Sequence, residues 1–169
     1  MNPIFLTIFQ MILTLGLYAL AIVVCGLSLF PAVFLFQKLL FVIPGFIPAA
    51  QILIVCMAFA AAYFIFGLSL MIVVGVLRML LNLTLEEGEY RLPSWGAMRW
   101  MVYNSFILLV SNLFMDFMLL TPFVSIFYRL MGAKLGKNVQ INSKYCADLC
   151  LLEIGDGAVI GGHATVICH

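Results

Sequence analysis

Hydrophobic positions run almost without interruption through the first half of the chain. Lys38 is the only charged side chain between Met1 and Leu77, which leaves two uncharged windows, Pro3 to Gln37 and Leu39 to Leu77. Each exceeds the roughly 20 residues that cross a bilayer core. The pattern predicts one spanning helix from about Ile4 to Phe30, broken at Pro31, and a second from about Gln51 to Leu77. Between them a hairpin over residues 31–48 carries Pro44, Gly45 and Pro48 as turn signals. Arg78 closes the second helix, and the first polar stretch follows in "TLEEGEYRLPSWGAMRW", with Glu86, Glu87, Glu89, Arg91 and Arg99.

From Trp100 to Leu120 the pattern becomes amphipathic. At 100° per residue Asn104, Ser105, Ser111, Asn112 and Asp116 share one face, and Phe106, Val110, Leu113, Phe114 and Phe117 lie opposite. Such a helix suits the membrane interface, its polar face wet and Trp95 and Trp100 at headgroup level. Arg78, Arg91 and Arg99 follow the second span, whereas the hairpin holds Lys38 alone. By the positive-inside bias the loop at 79–99 and the N-terminus are expected in the cytoplasm. A third crossing would carry Arg129, Lys134, Lys137 and Lys144 outside, against that bias.

Beyond Met131 the period changes to six. Leu135 and Ile141, then after one extra residue Ile154, Ile160 and Val166, repeat at that interval, with Ala133, Val139, Ala158 and Ala164 two places before most of them. Aliphatic hexads with Gly or Asn at the corners predict the start of a parallel β-helix, whose coil takes three hexads.

Composition narrows the class. The chain has 169 residues, 66% hydrophobic and 9% charged, against about 45–50% and 25% in ordinary soluble domains. A cleavable signal peptide is not indicated, because the N-terminus lacks Lys and Arg and the apolar run is too long. A net charge of +1 without a basic cluster gives no electrostatic basis for nucleic-acid binding. A channel would need polar or ionisable groups facing a pore within the spans, and no charged residue stands in either. Five cysteines are present. Without a CxxC pair, Cys146, Cys150 and Cys168 read as reduced, packed thiols rather than zinc ligands with His163 or His169, and no metal is expected.

The segments "EEGEYRLPSW", "MRW", "YRLMGAKLGKNVQINS" and "DLCLLEIGDGAVIGGHATVICH" resemble the membrane-bound hexapeptide-repeat acyltransferases, of the kind that forms the C-terminal region of ε-poly-lysine synthetase and related non-ribosomal peptide synthetases. The resemblance spans about Thr84 to His169. It implies membrane helices leading into a left-handed β-helix, a location in the bacterial inner membrane, and transfer of an acyl group to an amine or hydroxyl. The donor would be acyl-CoA or a carrier-protein acyl thioester used as co-substrate, with no covalently bound cofactor. Such chemistry needs a base near neutral pH and donors for an oxyanion. By the resemblance the base is His169, which follows the hexads; His163 is the second candidate and otherwise a solvent-facing corner. Asp148 or Asp156 could orient the imidazole, although Asp156 in "IGDGA" also fits a plain corner. Glu86, Glu87 and Glu89, around Gly88, fit a solvated turn better than a catalytic carboxylate pair.

The expected organisation is a two-helix transmembrane region at 1–82, a polar loop with a membrane-associated helix at 83–130, and an incomplete hexapeptide-repeat segment at 131–169. Fewer than two coils fit before His169, so the sequence reads as the N-terminal part of a longer enzyme. The resemblance further implies homotrimerisation through the β-helix and a synthetase or carrier-protein partner, beside the membrane lipid. The alternative is a non-catalytic anchoring or docking module, or an inactive fragment of such an enzyme.

Overall fold

In the computed structural model, residues 3–91 and 94–168 are described. Four helices come first: α1 (Pro3–Leu40), α2 (Pro48–Leu80), α3 (Trp95–Leu113) and the short α4 (Pro122–Leu130). Single 3₁₀ turns lie at Ile43–Gly45, Met115–Phe117 and Leu149–Leu151. Four two-residue strands close the order: β1 (Lys134–Leu135), β2 (Gln140–Ile141), β3 (Glu153–Ile154) and β4 (Val159–Ile160).

Both α1 and α2 are long and apolar enough to cross a membrane. At 1.5 Å per residue α1 extends about 57 Å and α2 about 50 Å, well beyond a ~30 Å hydrocarbon core. The break expected at Pro31 is absent, for α1 runs through it to Leu40. Proline removes one N–H from a helix, a loss that long apolar helices accommodate by local adjustment. The turn comes instead at Phe41–Ile47, where Pro44 lies in the 3₁₀ turn and Pro48 opens α2. The two helices pack along their length as a hairpin, with the Phe36 and Phe59 rings 4.9 Å apart. Their outer surfaces are bare hydrocarbon: Ile22 is 72% and Ile52 68% exposed.

The core sits at one end, where the last turns of α2 meet α3, α4 and the C-terminal segment. Leu70, Met71 and Val74 of α2 are buried there with Tyr103, Phe106, Val110 and Phe114. Gly67 makes this approach possible, because a Cβ at that position would overlap the Phe114 ring. Tyr63 adds a hydrogen bond, its hydroxyl donating to Leu113 O at 2.6 Å.

Residues 131–168 form short parallel pairs and no closed solenoid. β1 pairs with β3, Lys134 beside Glu153, and β2 pairs with β4, Gln140 beside Val159. A third parallel bridge joins Cys146 to Val166. The offset between partners is 19 residues twice and then 20, so the first arm steps by six throughout (Lys134, Gln140, Cys146) and the second by six and then seven (Glu153, Val159, Val166). The inward hexad residues meet as partners, Leu135 with Ile154 and Ile141 with Ile160. The turns stack closely enough that a Cβ at Gly136 would strike the Asp156 backbone, and Asp156 accepts a 2.6 Å hydrogen bond from Lys137 N. Asp156 therefore lies in the turn between β3 and β4.

Two buried phenols fix this segment to the helices. Tyr103 donates to Met131 O at 2.7 Å and Tyr128 to Ser143 O at 3.0 Å. Burial, then the neighbouring Cys150 for Tyr103 and Cys146 for Tyr128, pushes both phenols well above the ordinary tyrosine value. A raised folded-state value keeps their stabilisation complete below pH ~10 and removes it as pH climbs above that. Thermal unfolding in detergent micelles should therefore show a Tm that is flat to about pH 10 and then declines. Tyr103→Phe should flatten the decline and cost about 1–3 kcal/mol at neutral pH by leaving Met131 O unpaired.

Candidate functional site

The loop between α2 and α3 is held from both ends. Leu83 and Leu85 are buried in the core, while Arg99 of α3 donates to Asn82 O and Thr84 O. Tyr90 folds back to donate to Glu86 O at 2.9 Å. Ser94 caps α3 by accepting from Ala97 N at 3.2 Å, the usual way of satisfying a first-turn N–H. Glu86 and Glu87 are thereby set over the first turns of α3.

Opposite them lies Asp148. It is 0% exposed and adopts the left-handed conformation, φ 53° and ψ 43°, which aspartate enters more readily than most residues. Its Oδ1 accepts two hydrogen bonds, from Trp100 Nε1 at 2.8 Å and from Asn104 Nδ2 at 2.7 Å. Asn104 also accepts from Asp148 N through its own Oδ1 at 3.2 Å. One amide thus fixes both the backbone and the carboxylate of Asp148. Trp100 and Asn104 are four apart and share a face of α3.

A cavity of about 410 Å³ opens between these parts, lined by Glu86, Glu87, Tyr90, Trp100, Asp148 and Cys168 among others. This volume lies within the range of small-molecule sites. The Cys168 thiol is pushed above its ordinary value by burial, then by the charge of Asp148, which suppresses the thiolate a nucleophile needs. Burial does the same to Cys146. Among the described residues no three His, Cys, Asp or Glu side chains gather closely enough to hold a metal ion.

His163 stands apart from this cavity. It is exposed at φ 60°, with its ring 5.9 Å from that of Tyr145. It lines a small 120 Å³ depression with Asp116 and Lys144, consistent with a corner residue. His169 lies outside the described residues, as do Leu92 and Pro93 of the polar loop. Glu86, Glu87 and Glu89 are all exposed, and the first two reach the cavity mouth.

The polar face of α3 departs from expectation. Asn104 and Ser111 do not face water: Asn104 binds Asp148, and Ser111, 6% exposed, donates to Lys144 O at 3.4 Å. Trp100 likewise turns inward, whereas Trp95 is 73% exposed. Asp116 keeps the wet position expected of it, its side chain 60% exposed, and pairs there with Lys144 at 2.6 Å; that hydrogen bond raises the Lys144 ammonium above its ordinary value. The face is polar because the C-terminal turns need partners. Spacing showed that these residues share a face, but only the packing of α3 on residues 143–148 identifies what they bind.

Asn104→Ala removes two of these bonds and should lower unfolding free energy by about 1–3 kcal/mol. Asn112→Ala, whose amide bonds only to Leu108 O within its own helix, should stay within ~0.5 kcal/mol. Denaturant unfolding in micelles compares the two.

No known protein family, curated protein or solved structure matches the chain.

Proposed function

We propose that this chain is the membrane-anchored part of an acyltransferase, with its reaction centre at the Asp148 cavity. The observation that carries the reading is the buried carboxylate, held by Trp100 and Asn104 in the wall of a cavity that Cys168 also lines. His169 is the next residue in the sequence. In the proposed mechanism Asp148 is a positioning residue that orients the His169 imidazole, and the imidazole is the general base. An amine or hydroxyl acceptor attacks the carbonyl carbon of an acyl thioester while the imidazole takes its proton. The tetrahedral oxyanion collapses, the C–S bond breaks, and the imidazolium returns the proton to the leaving thiolate. Amide or ester and free thiol are the products.

Three successive parallel pairings, stepped by six residues on one arm and by six and then seven on the other, support a left-handed β-helix beginning at residue 131. Exposed Val159 and Ile167 on these turns support its contact with further protein, in a homotrimer or with a synthetase or carrier protein. Lipid around α1 and α2 would cover the hydrocarbon they expose. The loop before α3 and the turns after α4 line one cavity, which supports an α3 that stays on one side of the membrane, the cytoplasmic side by the Arg78, Arg91 and Arg99 bias.

Transfer is read as thiol release from an acyl thioester in the presence of an amine. His169→Ala should reduce it by roughly 10²–10⁴-fold, the usual worth of a general base. Asp148→Asn, which preserves an acceptor for Trp100 and Asn104, should also lower kcat and shift the acidic limb of the pH profile downward from the imidazole region near 6.5. Unchanged release in both variants would remove the assignment and leave the docking-module reading.

Orientation is tested separately. Cysteines placed at the exposed Glu87 and Lys137 should both react with an impermeant maleimide only from the cytoplasmic face. Opposite accessibility would make α3 a third crossing.

A further inference from the structure

Two apolar clefts flank α3 beside the Asp148 cavity. One, of about 350 Å³, lies between α3 and the C-terminal turns and has Trp100 in common with the cavity. The other, of about 340 Å³, lies between α3 and α1 and shares Leu108 and Asn112 with the first. Trp100, Asn104, Leu108 and Asn112 are spaced by four and form one row on the helix. That row leads from the cavity to α1 over about 18 Å at 1.5 Å per residue.

The two ends of the route differ in chemistry. At the far end Tyr18 of α1 is 64% exposed beside other bare apolar side chains of that helix, so whatever enters there comes from hydrocarbon. Leu108, 60% exposed, Ile107 and Ile167 supply apolar walls along the way. Among the described residues Lys144 is the one cation lining either cleft, and its ammonium is occupied by Asp116 at 2.6 Å. At the near end Glu86 and Glu87 line the cavity beside Asp148, with neither Lys nor Arg among its described lining residues. A phosphate or carboxylate head would be repelled there, and an ammonium attracted.

We infer that the acceptor is a long-chain amine, its hydrocarbon lying along the Trp100–Asn112 row of α3 and its amine in the Glu86–Glu87–Asp148 cavity. The inference rests on the acyl-transfer reading of that cavity. Entry from lipid would concentrate such a molecule at the site, while the acidic mouth selects the head. A chain shorter than the route forgoes burial worth roughly three- to fourfold in affinity per CH₂.

The test is photolabelling of the full chain in lipid nanodiscs with a diazirine-bearing hexadecylamine, mapped by peptide mass spectrometry. Labels should concentrate on residues 100–112 and 144–167. Unlabelled hexadecylamine should compete, butylamine should not, and hexadecanoic acid should compete at least tenfold less well. Leu108→Trp, which fills the cleft from an exposed position, should lower labelling about tenfold or more. Ile72→Trp, exposed on α2, should leave it unchanged. Labels spread over α1 and α2 in proportion to exposure, or equal competition by the fatty acid, would overturn the inference. Thiol release with a short soluble amine but no labelling of the row would remove this inference and keep the catalytic reading. Labelling of the row with no release for any amine would keep the amine site and remove the catalytic reading.

Discussion

Buried N–H, C=O and side-chain polar groups are costly without partners, and residues 131–168 cannot meet that demand alone. Their strands are two residues long, so most of the backbone between them lies in turns and corners. The helices make up the deficit. Tyr103 serves Met131 O, Tyr128 serves Ser143 O, and Arg129 donates to Leu135 O and Gly136 O at 3.0 and 3.1 Å. Trp100 and Asn104 serve Asp148. Remove these side chains and the turns would keep their pairing to one another but lose their seat on the protein.

The same constraint shapes the candidate site. A carboxylate with no solvent exposure is costly unless hydrogen-bonded, and two α3 donors converge on one oxygen of Asp148 to offset that cost. Its left-handed backbone is held by the same Asn104. Structural need and proposed chemistry thus use one set of bonds: a group fixed this firmly is suited to orienting another, since positioning catalysis depends on small displacements. The cavity beside it exists because the α2–α3 loop is tied down at Leu83, Leu85 and Arg99 rather than folded over the site.

The helices α1 and α2 work on a different principle. Little side chain is buried between them, and their stability as a pair in water would be poor with so much hydrocarbon bare. Lipid would cover that surface at no cost in apolar exposure. Small residues are buried on both: Ser28 and Ala32 on α1, and on α2 Gly67 and Gly75, which face Phe114 and Leu130 rather than α1. Pro31 leaves α1 continuous because an apolar helix of this length keeps every other backbone bond.

Local pattern was enough to read the two long apolar helices and the near-six-residue interval of the C-terminal pairings, with Asp156 and His163 in turns between them. Each depends on near neighbours in the chain, so periodicity records it. Asp148 was legible as a possible orienting carboxylate, and the extra residue that interrupts the hexads marks its neighbourhood. Its partners were not legible, because Trp100 and Asn104 lie 48 and 44 residues away and their pairing is set by how α3 packs. The amphipathic pattern correctly grouped Asn104, Ser111 and Asp116 and left Asp116 in water, but it assigned water to Asn104 and Ser111, where the fold supplies protein. Hydropathy reports that a face is polar; only tertiary packing decides whether its hydrogen bonds go to solvent, to a buried carboxylate or to a neighbouring backbone.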